Sequence, residues 1–136
     1  MYRKEIKVLD CTIRDGGLMN NHLFTDDFLS AVFKSLNNSG VDYIELGYKA
    51  DESQFSRSEY GSMKFCSEQD IEKVINGEDV KSKISVMVDI GRVDPSTIPL
   101  KTELPSILSP CARILSAYSI VSIGTFTSLI FPSSPT

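Results

Sequence analysis

Apolar and polar residues alternate in blocks over the first ninety residues of the chain. Three short blocks, 6–11, 41–47 and 84–90, are almost continuously apolar. Such blocks are typical of parallel strands that are covered on both faces. The segments between them carry apolar residues at helical spacing, so the pattern predicts the order β-α-β-α-β.

The first predicted helix has a start signal, an apolar face and a stop signal. Thr25 can cap a helix that begins at Asp26 or Asp27, where acidic side chains favour the positive end of the helix dipole. Gly40 is a suitable C-terminal stop. Between these signals, apolar residues recur on one helical face, namely Phe28, Leu29, Val32, Phe33 and Leu36.

A shorter helix is predicted before the third strand. The segment Ser67-Glu68-Gln69-Asp70 is a variant of the capping box, with Asp at the fourth position in place of the usual Glu or Gln. Ile71, Val74 and Ile75 then follow at helical spacing, and Gly77 would end the helix.

The chain changes character near Leu100. The last 36 residues carry three charged side chains, whereas 16 of them are Ser, Thr or Pro. We therefore divide the chain into an α/β unit at 1–100 and an irregular tail at 101–136. The tail has three interpretations: a disordered extension, a membrane-associated segment within the uncharged stretch Ile114–Phe131, or the product of a reading-frame shift after Leu100. We favour the frame shift, because it explains the low charge, the high Ser and Pro content and the missing helical period together.

Composition narrows the class of protein. A length of 136 residues fits one ordinary domain, and 41% apolar with 24% charged residues is typical of a soluble globular protein. A net charge of -4 without any basic run argues against a nucleic-acid partner. Three cysteines without a C-x-x-C pair, and an N-terminus unlike a signal peptide, favour the cytoplasm.

Candidate chemistry is concentrated where the first predicted strand ends. The stretch Leu9-Asp10-Cys11-Thr12-Ile13-Arg14-Asp15-Gly16-Gly17 places a hydroxyl, a guanidinium and two carboxylates at that point. Charges are seldom buried unless they are paired or bound to a metal, and strand ends are where an α/β barrel displays its reactive groups. An Asp-Gly turn with an incidental ion pair is the alternative.

Two segments carry a resemblance to a known family. The stretch 9–17 resembles the D-x-T-x-R-D-G first-strand signature of the HMG-CoA-lyase-like, or pyruvate-carboxyltransferase-domain, superfamily of metal-dependent barrels. The segment 40–47, G-V-D-Y-I-E-L-G, is similar to the second-strand segment of that superfamily, which ends in I-E-x-G. The superfamily includes 4-hydroxy-2-oxovalerate aldolase and the isopropylmalate and homocitrate synthases. The resemblance implies a partial (β/α)8 TIM barrel, with its first three strands and two helices followed by the irregular tail.

The resemblance also implies three roles. Asp15 matches the divalent-metal ligand of the first strand, Arg14 the arginine that faces the developing enolate oxygen, and Glu45 an acid near the active site. A carboxylate oxygen suits Mn²⁺ or Mg²⁺, and Zn²⁺ also accepts mixed oxygen and nitrogen sites. Each residue has a structural alternative: Asp15 as a loop cap, Arg14 as the partner of Glu45, and Glu45 as a solvated strand-end charge.

The chain departs from the family pattern in two ways. Family members complete the metal site with an H-x-H pair, yet the only histidine here is His22. The pyruvate aldolases place a catalytic histidine almost directly after R-D-G, where Gly17 and Leu18 stand in this chain. His22 is kept as a catalytic candidate, although a surface-loop histidine is the favoured interpretation.

The function implied by the resemblance is that of a divalent-metal-dependent carbon–carbon lyase of the aldolase type, acting on a 2-oxo acid or acyl substrate through an enolate. An acyltransferase of the isopropylmalate-synthase type and a non-catalytic remnant or binding module are the alternatives. We expect a chain of only three βα units to be inactive by itself, and a full-length form to be a homo-oligomer. No membrane partner is expected.

Three further charged residues have two interpretations each. Lys49 and Arg57 lie in a polar stretch, where they either bind an acidic substrate or are merely solvated. Asp89, near the end of the third strand, either faces the barrel mouth or pairs with Arg92.

Overall fold

The computed structural model of the chain describes residues 5–89 and the strand at 115–119. These residues form a parallel sheet with helices between its strands. In chain order the elements are β1 (Leu9–Asp10), α1 (Thr12–Gly17), α2 (Asp26–Ser39), β2 (Tyr43–Tyr48), a 3-10 helix (Ser62–Lys64), α3 (Glu68–Ile75), β3 (Lys83–Asp89) and β4 (Leu115–Ser119).

The sheet is parallel throughout the described residues, with strand order β1-β2-β3-β4. Asp10 lies opposite Ile44, and Ile44 lies opposite Ile84. The register then shifts between Glu45 and Gly47 of β2. Parallel strands place all their carboxyl ends at one edge, which is where α/β sheets bind ligands. The α/β class is therefore confirmed, and the barrel remains a prediction.

Helix α2 forms between the two signals that predict it. The Thr25 hydroxyl accepts a hydrogen bond from the Phe28 backbone N–H at 3.3 Å. Gly40 ends the helix in the left-handed conformation, at a φ of 80°, which glycine adopts without strain. Leu29 and Phe33 on its apolar face are fully buried. The predicted start and end of this helix are confirmed. Of its predicted apolar face, Val32 and Leu36 also pack against the core, whereas Phe28 is exposed.

The capping box that predicts α3 is confirmed. The Asp70 N–H donates to the Ser67 hydroxyl at 3.2 Å, and the Ser67 N–H donates to the Asp70 carboxylate at 3.1 Å. The helix ends at Asn76, whose φ of 48° is left-handed, immediately before Gly77 with a φ of 74°. The stop therefore comes one residue earlier than the glycine alone indicates.

The start of the chain differs from its prediction. Of the strand expected at 6–11, only Leu9–Asp10 pairs with β2, and a short helix follows at once. The Asp10 carboxylate explains the early end, because it accepts hydrogen bonds at 3.0 Å from both the backbone N–H and the hydroxyl of Thr12. Such an Asx turn competes with strand pairing. Arg14 and Asp15 consequently lie on a helix, not in the loop that the sequence suggests.

The tail contributes one described element. Leu115–Ser119 pairs with β3 in parallel, with Ser85 opposite Leu115 and Asp89 opposite Ser119. These five residues differ from the irregular segment expected. The boundary near Leu100 and the rest of 101–136 lie outside the described residues, so the three interpretations of the tail stay open.

The hydrophobic core lies between the sheet and the helices α2 and α3. It brings together buried side chains of both helices and of the two longer strands, namely Leu29, Phe33, Ile44, Leu46, Ile71, Val74 and Ile84. The core thus holds β2 in place, and β2 carries Glu45. Among the residues described, no helix is long and apolar enough to span a bilayer.

Candidate active site

A buried ion pair joins the two sequence motifs. Arg14 Nε donates to Glu45 Oε1 at 2.6 Å, and the side chains are only 13% and 5% exposed, respectively. Burial by itself lowers the pKa of Arg14, but the hydrogen bond and charge of Glu45 raise it well above its usual value. The guanidinium is therefore permanently charged and fixed in orientation. The pairing of Arg14 with Glu45, expected as a structural alternative, is present.

Asp15 is the accessible member of the group. Its carboxylate accepts a hydrogen bond from the Arg14 guanidinium, and its side chain is 59% exposed. Arg14 is thus held between a buried acid and an exposed one. Because the exposed carboxylate is surrounded by solvent, it can exchange partners at little cost, whereas Glu45 cannot.

A divalent ion requires more ligands than this group supplies. Within 5–89 and 115–119, no set of three or more His, Cys, Asp or Glu side chains is arranged to hold a metal ion. Glu45 is bonded to Arg14, and the Cys11 thiol lies 3.7 Å from the same carboxylate oxygen. Burial and the charge of Glu45 raise the pKa of the Cys11 thiol, so this thiol stays protonated. The described residues therefore do not fit a complete metal site, and Asp15 is suited to supply one ligand.

His22 is buried, so the surface-loop interpretation is wrong. The residue is 2% exposed, and its backbone is left-handed with a φ of 59°. The His22 backbone N–H donates to the Gly17 carbonyl at 2.8 Å, and the imidazole ring lies directly against Gly17. A Cβ atom at Gly17 would lie 1.9 Å from His22 Nδ1. The second glycine of the R-D-G-G stretch is thus required by the position of His22.

The His22 ring lies in an unusual electrostatic environment. Neither ring nitrogen has a hydrogen-bond partner within the described part of the chain. Burial, followed by the positive charges of Lys64 and Arg14, lowers the pKa of His22 to about 4. The His22 and Tyr48 rings pack in a T-shaped arrangement, with their centroids 5.6 Å apart. His22 is therefore a neutral, buried imidazole beside two cations.

A cluster that the sequence analysis missed surrounds Lys64. The Lys64 Nζ atom lies 4.3 Å from the ring centroid of Phe55, 4.7 Å from that of Tyr48 and 5.5 Å from that of Tyr60. The residue is 8% exposed. Rings around an ammonium stabilise its charge. We call these four residues the Lys64 cage.

Lys49 and Arg57 are engaged in contacts with their own loop and helix. Lys49 Nζ donates to the Cys66 carbonyl at 3.3 Å and to the Glu68 carboxylate at 3.4 Å. Arg57 donates to the Asp70 carboxylate at 3.2 Å, so it stabilises the capping box at the start of α3. These bonds hold the polar stretch onto α3, which favours a structural role for both cations.

A small cavity of about 10 Å³, the size of one water molecule, lies at the carboxyl ends of β2 and β3. Tyr48 and Lys49 line it from the β2 side, Met87 and Asp89 from the β3 side, and the Lys64 cage closes it with Phe55 and Lys64. Asp89 therefore faces the edge of the sheet where α/β proteins bind ligands. Its predicted partner Arg92 lies outside the described residues.

Comparisons with protein-family models, with curated proteins and with solved structures give no match to this chain. The resemblance to the lyase family therefore depends on the residues of 9–17 and 40–47. From these two segments the structure brings Arg14, Asp15 and Glu45 into contact.

Proposed function

We propose that this protein contributes to a carbon–carbon lyase of the aldolase type, which cleaves a 2-oxo acid or acyl substrate through an enolate. The observation that carries the proposal is the buried contact between Arg14 and Glu45. These residues come from two motifs that lie 31 positions apart, and they meet at 2.6 Å.

The chemistry needs a fixed positive charge. In a retro-aldol cleavage, a base takes the proton of the substrate hydroxyl, the carbon–carbon bond breaks, and its electron pair moves into an enolate whose oxygen becomes negative. A cation already held in place stabilises that oxygen without reorganisation in the transition state. We assign this role to Arg14. Glu45 is its positioning residue, because it fixes the guanidinium and is itself buried.

Asp15 takes a separate role in the proposal. Its exposed carboxylate suits a divalent ion such as Mn²⁺ or Mg²⁺, which would supply Lewis-acid chemistry when bound. The described residues provide one such ligand, and none of the steps assigned to Arg14 depends on the ion.

His22 is the candidate for the base that accepts the substrate proton. A neutral imidazole is able to accept a proton, and its pKa of about 4 keeps it neutral at physiological pH. Both ring nitrogens are buried, however. For His22 to act as the base, its ring must become accessible to the substrate.

The inactivity expected of this chain concerns the complete cleavage, so the test is a partial reaction, the enolisation step in which Arg14 is assigned its role. Enolisation of pyruvate exchanges its methyl protons with D2O, which proton NMR follows directly. We expect the protein to accelerate this exchange, and Arg14→Lys to slow it by about 10²–10³ because lysine lacks the planar fork. Arg57→Lys is the matched control, since Arg57 lies outside the site.

Two further arms separate the alternatives. Asp15→Asn with and without added Mn²⁺ tests the ion, and addition of acyl-CoA tests the acyltransferase alternative. Exchange at the buffer rate, or a normal rate in Arg14→Lys, would reject the proposed function and favour the non-catalytic remnant.

A further inference from the structure

An exposed apolar patch lies where the chain turns from α1 into α2. We propose that this patch is a docking surface for a helix of a partner protein, a helix with apolar residues on one face and Lys or Arg beside them. The inference does not depend on the proposed function. Four side chains form what we call the turn patch: Leu18, Met19, Leu23 and Phe28, which are 58%, 89%, 60% and 49% exposed, respectively.

Contacts within the turn bring these side chains around one ring. The Met19 N–H donates to the Gly16 carbonyl at 3.1 Å, which folds the chain back after α1. The Phe24 ring lies against the same helix, because a Cβ atom at Gly16 would be 3.7 Å from Phe24 Cζ. Phe28 stacks on Phe24 with the ring centroids 5.3 Å apart, and Leu23 precedes Phe24 in the chain. The turn patch is thus centred on the partly buried Phe24 ring.

The fold does not explain why the turn patch is apolar. None of its four side chains belongs to the hydrophobic core of the described residues. Large apolar side chains that are exposed together and bordered by polar residues mark interaction sites. Methionine and aromatic residues are enriched at protein interfaces, and the unbranched Met19 side chain adapts its shape to the surface that it meets. These features indicate that another surface covers the turn patch.

Acidic side chains beside the turn patch select the partner. Asp26 and Asp27 come directly before Phe28, are exposed, and form no ion pair or hydrogen bond through their side chains with the described residues. From 15 to 33 the chain carries three acidic side chains and no Lys or Arg. The Ser30 hydroxyl donates to the Lys73 carbonyl of α3, and residues two apart lie on different helix faces, so α3 contacts α2 away from Phe28. A partner with basic side chains beside its apolar ones complements this surface.

Charge disfavours the other occupants of the turn patch. A second copy of this chain brings the same acids, so a symmetric contact between copies places like charges against each other. A membrane with anionic lipids is also negatively charged. The apolar stretch 114–131 of this chain carries no charge, so it leaves the acids without a partner. An amphipathic basic helix satisfies both properties of the surface, because it presents apolar and basic side chains on neighbouring faces.

The first experiment measures the binding of two synthetic helical peptides by fluorescence anisotropy. One carries Leu on one face and Lys on the other, and in its counterpart Glu replaces Lys. The Leu–Lys peptide should bind the full chain at low salt, the Leu–Glu peptide should not, and added NaCl should weaken binding. Met19→Ser should weaken it by about tenfold or more, because a buried apolar contact is lost. Ile6→Ser is the control, since Ile6 is an exposed apolar residue that precedes β1.

A second set of variants tests the charge. The double change Asp26→Asn with Asp27→Asn should weaken binding of the Leu–Lys peptide by about two- to tenfold at low salt and reduce its salt dependence. Glu59→Gln removes an acid from an exposed loop position elsewhere and should leave the affinity unchanged. No binding of the Leu–Lys peptide, equal binding of the two peptides, or unchanged affinity in Met19→Ser would each overturn the proposal.

The second experiment needs no variant. Hydrogen peroxide oxidises an accessible methionine thioether to its sulfoxide, and mass spectrometry quantifies each site. In the free chain Met19 should be oxidised much faster than Met63, which is fully buried. The Leu–Lys peptide should slow the oxidation of Met19, whereas the Leu–Glu peptide should not. Slow oxidation of Met19 in the free chain would show that the turn patch is already covered, by another part of the chain or by a second copy, and would overturn the proposal. Equal rates with and without the Leu–Lys peptide would overturn it as well.

Discussion

Two regions of this molecule are held in place by different kinds of contact. The region 25–89 is an ordinary α/β layer, in which helices α2 and α3 cover strands β2 and β3 with a continuous apolar core. The region 5–24 carries Arg14, Asp15 and His22 on a two-residue strand, a six-residue helix and a loop. Six of the seven large apolar side chains that are exposed in the described residues also lie there: Ile6, Val8, Leu9, Leu18, Met19 and Leu23.

The candidate chemistry therefore lies where regular packing is weakest. In 25–89, hydrophobic burial fixes the positions of the elements. In 5–24, Ile13 joins that core, and specific polar contacts fix the remaining positions: the Asp10 turn, the Arg14–Glu45 pair and the bond between His22 and Gly17. Contacts of this kind are lost when a single donor or acceptor is replaced, and some of them change with pH. The two regions should therefore respond differently to mutation.

The largest effect is expected in the core of 25–89. Phe33→Ala removes a fully buried ring and should destabilise the protein by about 3–5 kcal/mol, through lost burial and the cavity left behind. Phe28→Ala is the matched control on the same helix, because Phe28 is exposed and stacks on the partly buried Phe24. Urea unfolding measures both variants. Equal losses would contradict a core confined to the inner face of α2.

The next effect is a pH dependence that arises in 5–24. The pKa of His22 is about 4 in the folded chain and 6.5 as a free side chain, so the unfolded chain binds more protons between these values. Stability is therefore complete above pH 6.5 and falls as the pH falls toward 4, by up to about 3 kcal/mol.

Urea unfolding at neutral pH and at about pH 5 measures this loss. The variant His22→Gln should show a smaller change over the same window, because glutamine does not titrate. The same pH dependence in both proteins would mean that His22 is not the responsible group, and the contrast between the regions would then lose its electrostatic basis.

A third prediction concerns the glycine pair after Arg14 and Asp15. Gly17→Ala places a methyl group against the His22 ring, 1.9 Å from Nδ1 before any relaxation, and should cost about 1–3 kcal/mol. Gly16→Ala is the control on the same helix, since the nearest atom outside the helix is 3.7 Å from its Cβ position. Thermal unfolding compares the two. If Gly16→Ala and Gly17→Ala have equal effects, the His22 ring does not pack against Gly17 of α1.

The two regions also differ in how far the sequence predicts them. The bounds of α2 and the capping box of α3 follow from local signals, Thr25, Gly40 and the pair Ser67 with Asp70, which act independently of the rest of the chain. The strand expected at 6–11 fails because the Asp10 side chain forms a turn in place of strand pairing. Hydrophobic periodicity does not reveal that competition between a side-chain turn and strand pairing.

The candidate site is predictable only in part, for a related reason. The contact of Arg14 with Glu45 is one of the expected alternatives, although Arg14 reaches Glu45 from α1 and not from a strand. The burial of His22 depends on a left-handed backbone and on its approach to Gly17, neither of which has a periodic signature. The rings of the Lys64 cage come from separate segments of the chain, so no local sequence pattern predicts the cage.

The smallest effect tests whether a local polar signal matters less where packing is strong. Ser67→Ala removes the hydroxyl that accepts the Asp70 N–H, and loss of such a cap typically costs about 1 kcal/mol. Ser53→Ala, at an exposed loop position, is the control and should be close to neutral. Because Ile71, Val74 and Ile75 still anchor α3 in the core, the helix should persist in circular dichroism while the urea midpoint falls slightly. Loss of α3 in Ser67→Ala would show that polar contacts also control the packed region, and the distinction between the two regions would fail.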